Sequence, residues 1–262
     1  MRKYYKIIYH WFRLLGFNPL TFINFFRGLP FYLSGLIKIK KQKGKNTDFE
    51  FGVNFPNNGD RFSESGTMSG HYFHQDLLVA KRIFLNNPKH HLDIGSRIDG
   101  FVAHVATFRE IEVMDIRHQI SKVPNIVFKQ VDLTKSQNNL KEYCDSISAL
   151  HSIEHFGLGR YGDPIDYFGH IKAIENIYNI LQLNGIFYFS VPIGEQRIEF
   201  NAHRVFSISY LLKIFEKRFK VARFSYINDE GDLFENIEFN KNDYTSNYNC
   251  YYGCGVFELI KL

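Results

Sequence analysis

His91-Leu92-Asp93-Ile94-Gly95-Ser96-Arg97-Ile98-Asp99-Gly100 is the stretch that decides the fold. Its first four residues read as a short buried strand, and Gly95 allows the tight bend that ends it. A second strand, near 111–115, ends in Glu112-Val113-Met114-Asp115-Ile116, with Asp115 twenty residues beyond Gly95, and a third, Ile126-Val127-Phe128-Lys129-Gln130-Val131, runs into Asp132-Leu133-Thr134. Hydrophobic spacing predicts further strands near 147–151, 185–191, 219–227 and 254–261, with helices near 74–85, 100–108, 166–182 and 207–217. Such alternation predicts a doubly wound, mostly parallel α/β sheet with seven strands. No helix separates the sixth strand from the last, so the last is expected to run antiparallel.

Ligands of these sheets bind beyond the carboxyl ends of the strands, so residues at those ends are the candidates for chemistry. Gly95 would let backbone approach a ligand that Asp93 or Ser96 faces, with Gly100 closing the turn. Asp115 can accept hydrogen bonds from both hydroxyls of a ribose. Asp132 can accept an exocyclic amine of an adenine lying over Leu133 or Ile116. The competing reading is that Asp93, Asp115 and Asp132 only cap turns or helices. The absence of Gly-x-Gly-x-x-Gly after the first strand argues against a nicotinamide enzyme.

Strand four delivers His151 to the same edge, and Glu154 and His155 follow in the loop. A neutral imidazole suits removal of a hydroxyl proton, so His155 is the candidate base, with Glu154 orienting it or binding substrate and His203 as second choice. Tyr161, Asp163, Asn201 and Arg204 are candidates to line an acceptor pocket, Arg204 being suited to an anionic one. Each can instead be a surface or structural residue, and Gly157, Gly159 and Gly162 can serve only to shape the loop. His151 and His155 have the spacing of a helical metal pair, with His203 or Asp163 as a further donor, but a strand-to-loop junction lacks helical geometry and no metal is expected. Tyr72, Phe73 and Gln75 precede the first helix of the sheet and can form an aromatic cover or pack in the core.

Two blocks beside Asp93-Ile94-Gly95-Ser96 sharpen the reading: Leu150-His151-Ser152-Ile153-Glu154-His155-Phe156-Gly157-Leu158-Gly159-Arg160-Tyr161-Gly162-Asp163-Pro164 and Asn201-Ala202-His203-Arg204-Val205-Phe206. With them, residues 89–262 resemble a class I methyltransferase, and the chain is similar to the family catalogued as domain of unknown function 268. The resemblance implies a seven-stranded fold and S-adenosylmethionine as cofactor, and for bacterial members it suggests modification of surface polysaccharide, here by O-methylation of a sugar or glycan precursor. A non-catalytic binding module in a glycan assembly complex is the alternative. It is favoured by Arg97 and Asp99, which stand where the methyltransferase turn Asp-x-Gly-x-Gly-x-Gly has its second and third glycines.

The rest of the chain divides by composition. Residues 1–47 hold ten Lys or Arg and no acid, so the remaining 215 carry a net −5 of the total +5. Eleven aromatics lie in the same segment. Arg2, Lys3, Lys6, His10 and Arg13 share one side of a helical wheel, and Tyr4, Tyr5, Ile7, Ile8, Trp11, Phe12, Leu14 and Leu15 share the other. A terminal helix packed on its own domain and an in-plane anchor on an anionic inner leaflet both fit. The charge-free runs Leu14–Phe26 and Gly28–Ile37 contain Pro19 and Pro30 and fall short of the ~20 apolar residues of a span, so no span is expected. No cleavable signal is expected either.

The segment from Asp48 to Gly70 reads as one or two strands with turns, and residues 48–88 as a cap with the first helix. The three cysteines, Cys144, Cys250 and Cys254, offer no disulfide framework and point to a reducing, cytoplasmic setting. A phosphate-binding role for residues 1–47 in nucleic-acid methylation ranks below, because no Asn-Pro-Pro-Tyr-type motif follows strand four.

Overall fold

The computed structural model describes residues 8–9, 11–46, 48–136 and 138–262. The chain divides into two compact units, Met1–Thr67 and Met68–Leu262.

In the first unit, residues 8–9 and 11–14 are helical; Arg2, Lys3, Tyr4, Tyr5, Lys6, Ile7 and His10 of the expected amphipathic pattern lie outside the described residues. Helix α1 (Pro19–Lys43) starts at Asn18, whose side chain accepts from the amides of Leu20 and Thr21, and runs through Pro30 without ending. The sequence reading counted Leu14–Phe26 and Gly28–Ile37 as separate runs too short for a span, whereas α1 is continuous from Pro19 across Arg27 and Pro30. A proline removes one interior hydrogen bond, and the neighbouring turns carry the helix past it. Among the described residues α1 is long and apolar enough, by length and composition, to cross a membrane. It exposes Leu20, Phe22, Ile23, Phe26, Leu33 and Ile37, with Lys40, Lys41 and Lys43 in its last turn. The expected strands after Asp48 do not form: the stretch is irregular apart from a single 3-10 turn, Asp60–Phe62. Its charge sits on rings instead, with Arg27 4.4 Å from the centroid of Phe62 and Arg61 4.1 Å from that of Phe31.

The second unit is a twisted sheet with helices on both faces. Its strands are β1 (His91–Ile94), β2 (Ile111–Asp115), β3 (Ile126–Gln130), β4 (Cys144–Leu150) and β5 (Leu181–Ile193). A small antiparallel hairpin, β6 (Arg197–Glu199) with β7 (His203–Val205), occupies the expected loop between strand five and Arg204. Then come β8 (Phe219–Ile227), the two-residue β9 (Leu233–Phe234) and β10 (Gly253–Lys261). The order is β3-β2-β1-β4-β5-β10-β8-β9, eight strands where seven were expected. β10 is antiparallel to both β5 and β8.

The helices of this unit are α2 (His71–Asn86), α3 (Ala103–Ala106, entered through a π turn at Ile98–Val102), α4 (Gly169–Ile180), α5 (Ile208–Phe215) and the single-turn α6 (Lys241–Thr245), which lies between β8 and β10 where no helix was expected. β5 shows why both faces are covered: Phe187, Phe189 and Val191 point into a core with α4 and α5, and Tyr188 points into a second core with α2 and Phe101. On α4 the buried Ala173, Ile174, Ile177 and Ile180 recur at helical spacing. On α2 the buried stripe is Leu78, Val79, Ala80 and Ile83, and Leu77 is exposed.

The order reverses between β1 and β4, and this seam is held by polar groups. Asp93 is fully buried; its Oδ1 accepts from the hydroxyls of Ser96 and Ser148, each at 2.6 Å, and its Oδ2 from the Ser96 amide at 3.0 Å. Burial outweighs those hydrogen bonds and pushes the carboxyl up to about 6. In the unfolded chain it titrates near 3.8, so folding takes up a proton between the two values, and stability from this group is gained as pH falls from about 6 toward 4. Wild type is therefore expected to gain, relative to Asp93→Asn, up to roughly 3 kcal/mol over that interval in paired urea unfolding curves. A pH-independent difference would exclude this titration.

Candidate functional site

The cleft lies beyond the carboxyl ends of β1 to β4, at the reversal of strand order, where open α/β sheets take their ligands. Gly95 has φ +67°, and a Cβ added there would lie 2.7 Å from Ser152 Oγ and face Asp115. Glycine is required at this point both for the turn and for the space. Two compartments share Gly95, Asp115, Arg117, His155 and Tyr161 as walls.

The first compartment lies against the ends of β2 and β3. Ile94, Met114, Ile116, Leu133 and Phe156 give it apolar walls, and Asp115 and Asp132 supply acceptors at the ends of β2 and β3. A flat apolar ring carrying a polar edge and vicinal hydroxyls matches that arrangement. The Asp115 carboxylate is already oriented: Oδ1 accepts from the Arg117 amide (2.8 Å) and Nε (2.9 Å), and Oδ2 from Nη2. The Arg117 guanidinium lies 4.3 Å from the Tyr161 ring centroid. Arg117 was not foreseen, since an arginine two residues past a strand carries no sequence signal. Its side chain is half exposed, so it can give way to hydroxyls while its amide stays on Oδ1. Asp132 accepts from the amide (3.0 Å) and hydroxyl (2.6 Å) of Thr134.

The second compartment is walled by Tyr72, the turn Ser96–Asp99, His118, Gln119 and His151. Arg97 and Asp99, the departures from the glycine pattern, pair with each other at 3.0 Å on the exposed rim, and Arg97 lies 5.0 Å from the Tyr72 ring centroid. Neither is driven into the turn itself. Gly100 lines neither compartment; a Cβ there would meet Asp76. Asp93 lines neither compartment, whereas Ser96 lines the second while donating to Asp93 and accepting from the Leu150 amide (3.0 Å), which ties the turn to β4.

His155 sits in a 3-10 turn (Ile153–His155) after β4 and lines both compartments. Its Nδ1 is 2.6 Å from the Ala202 carbonyl, which must receive a proton from it. A neutral ring therefore keeps its lone pair on Nε2. Burial, with Arg160 and His151 adding to it and Glu154 opposing, holds the pKa below its ordinary value. A neutral His155 near pH 7 is chemically a base.

Glu154 is 1% exposed, and its Oε1 lies 2.7 Å from His151 Nδ1 against 3.7 Å from His155 Nε2. It therefore orients His151 first. Burial opposes its charge, and His151 more than compensates, keeping the carboxyl below its usual range. His151, at φ +48°, lines the second compartment. Burial disfavours its charge, but the Cys254 sulfur and Glu154 raise its pKa well above the ordinary value.

The remaining sequence candidates mostly build the scaffold. Tyr161 is a wall of both compartments. Asp163 lines the first, but its carboxylate accepts from the amides of Gly157, Gly159 and Tyr161 and so folds the loop. Arg204 is buried, lines neither compartment, and commits its donors to the carbonyls of Phe156 (2.6 Å) and Tyr167 (3.1 Å). Asn201 is exposed on the β6–β7 turn, outside both compartments. His203 also stands outside them, on β7, with Nε2 3.1 Å from Glu199; burial, ahead of the other influences, lowers its pKa. Tyr72 does cover the cleft, whereas Gln75 is buried in the core and accepts from Ser190.

Gly95→Ala is expected to abolish ligand binding in the cleft and to lower the melting temperature, because a Cβ would require both a left-handed backbone and displacement of Ser152. Calorimetry beside thermal unfolding checks both, and unchanged values would mean that the bend is not tight.

Comparison with known proteins agrees with this geometry. The model of the family described as Caenorhabditis protein of unknown function, DUF268, matches residues 100–249, more than half of the chain. No curated protein matches it. Among solved structures it is similar to a 1,6-didemethyltoxoflavin-N1-methyltransferase of Burkholderia thailandensis with bound 1,6-didemethyltoxoflavin and S-adenosylhomocysteine, at 12% identity and TM-score 0.50 over 74% of this chain and 79% of that one. A complex between the Haloferax volcanii Trm112 methyltransferase activator and a methyltransferase gives 14% identity and TM-score 0.50, over 72% and 89%. At these identities the likeness concerns the fold, which is the Rossmann-like methyltransferase fold.

Proposed function

Since the chain belongs to the DUF268 family and has a Rossmann-like methyltransferase fold, we propose that it is an S-adenosylmethionine-dependent methyltransferase acting on a hydroxyl of a sugar or glycan precursor. The carrying observation is the apolar slot between Asp115 and Asp132, entered past a glycine that nothing larger can replace. Asp115 would hold the ribose hydroxyls and Asp132 the adenine amine, with Ile116 and Leu133 against the ring and the Gly95 turn beside the methionine part. The bound cofactor supplies an electrophilic methyl group.

This chain's own contribution is position and proton transfer. The second compartment, with Arg97, Asp99, His118, Gln119 and Tyr161, offers polar partners suited to a polyhydroxylated acceptor. Lying on both compartments, His155 can take the acceptor hydroxyl proton on Nε2 as the oxygen loses its lone pair to the new bond. Glu154 acts through His151 and the turn. The second reading, a binding module without catalysis, is favoured by one observation: the Arg117 guanidinium occupies the carboxylate that a ribose would need.

Titration with S-adenosylhomocysteine is the test. Asp115→Ala is expected to weaken binding by roughly 10- to 100-fold, the loss of about 1.5–3 kcal/mol from hydrogen bonds to a charged group. His155→Ala should leave binding unchanged and slow transfer to a responsive sugar acceptor by about 10²- to 10⁴-fold. No binding at millimolar ligand would leave the non-catalytic reading in its place.

We further propose that the protein works at the cytoplasmic face of a membrane, held there by the N-terminal unit. The support is the apolar, aromatic surface of α1 and the lysines of its last turn, which suit an anionic headgroup region. Removing residues 1–45 is expected to release the protein from anionic liposomes in a flotation assay. Retained flotation would exclude the anchor.

A further inference from the structure

We propose that His71, His151 and Cys254 form a binding site for a divalent transition metal, with zinc the best fit. The three come from distant parts of the chain: the first residue of α2, the residue after β4 and the second residue of β10. Because β10 runs antiparallel to the β1–β5 set, its start and the end of β4 lie at one edge of the sheet. One donor atom from each residue lies within 4.8 Å of the other two.

The observation that points to a ligand is His151 Nε2. The residue is 7% exposed, and this nitrogen is buried with no hydrogen-bond partner among the described residues. Leaving such an atom unsatisfied costs about 1–3 kcal/mol. Its other nitrogen is 2.7 Å from Glu154 Oε1, the carboxylate–histidine arrangement that fixes a metal-ligating ring. Cys254 is fully buried, and its sulfur, beside His151, makes long contacts to Gln75 Oε1 (3.6 Å) and the Gly255 carbonyl (3.9 Å). His71 lies nearly parallel to His151, ring centroids 5.1 Å apart.

Two imidazoles and a thiolate form a borderline-soft set that suits zinc better than magnesium or calcium. Zinc bonds of about 2.0–2.1 Å to nitrogen and 2.3 Å to sulfur place tetrahedral ligands roughly 3.3–3.6 Å apart. The three donors, within 4.8 Å of one another, must therefore draw together, and His71 must turn out of its parallel stack. Half-buried at the start of a helix, His71 is the ligand able to move. Three protein donors leave the fourth position to water or a substrate oxygen. As His151 also lines the second compartment, that oxygen would belong to a molecule in the cleft. The site rests on these residues alone and does not depend on methyl transfer.

Cobalt(II) added to the metal-free full-length protein is the probe, followed by its thiolate-to-cobalt charge-transfer band in the near ultraviolet and by bound-metal stoichiometry. Wild type is expected to take up one equivalent and show the band. Cys254→Ser should lose the band, and His71→Ala should bind cobalt at least roughly tenfold more weakly with an unchanged melting temperature. Zinc should displace the cobalt and erase the band. No band in wild type overturns the proposal, as does a band that survives Cys254→Ser, which would move the metal to Cys144 or Cys250. Unaltered affinity in a folded His71→Ala protein overturns it equally.

Discussion

The buried Asp93 carboxylate is the constraint on which the rest of the second unit depends. It sits where the strand order reverses between β1 and β4, and three hydrogen bonds from Ser96 and Ser148 bind the end of β1 to β4. An isolated charge there would be prohibitive. With its partners in place, the carboxylate fixes the turn that carries Gly95, and Ser96 passes the constraint on to the Leu150 amide. Ser152, Glu154 and His155 follow directly from that point, so the geometry of both compartments is inherited from one polar knot.

Charge is distributed around the cleft with a consistent logic. Carboxylates that face the cleft are held by groups that can yield or are shared: Asp115 by a half-exposed Arg117, Asp132 by Thr134. Charged groups behind it are committed. Arg204 spends its guanidinium on carbonyls of the 154–167 loop, and Asp163 spends its carboxylate on amides of the same loop. Their work is to hold an irregular backbone that has no sheet or helix partners of its own, which is why such polar residues cluster there. The loop in turn presents His155, Phe156 and Tyr161 to the ligand space.

The N-terminal unit follows different physics. α1 buries Gly28 and leaves most of its large apolar side chains exposed, the reverse of a helix that gains its stability from a core. Such a surface calls for an apolar environment.

The sequence by itself determined the periodic part of the protein. The boundaries of β1, β2, β8 and β10, the antiparallel last strand, the need for glycine at 95, and Asp115 and Asp132 at strand ends were all legible, because hydrophobic alternation and strand-end position are local properties. Tertiary structure alone decided which polar residues are free. Asp93, Asp163 and Arg204 look like ligand-binding groups in a string of letters, yet each is consumed by partners in the fold. The irregular 48–70 segment and the β6–β7 hairpin escaped the pattern because they have too few residues for a period to show. The meeting of His71, His151 and Cys254 was out of reach for a simpler reason: side chains far apart in sequence become neighbours only when β10 turns back along the sheet, and no local spacing records that event.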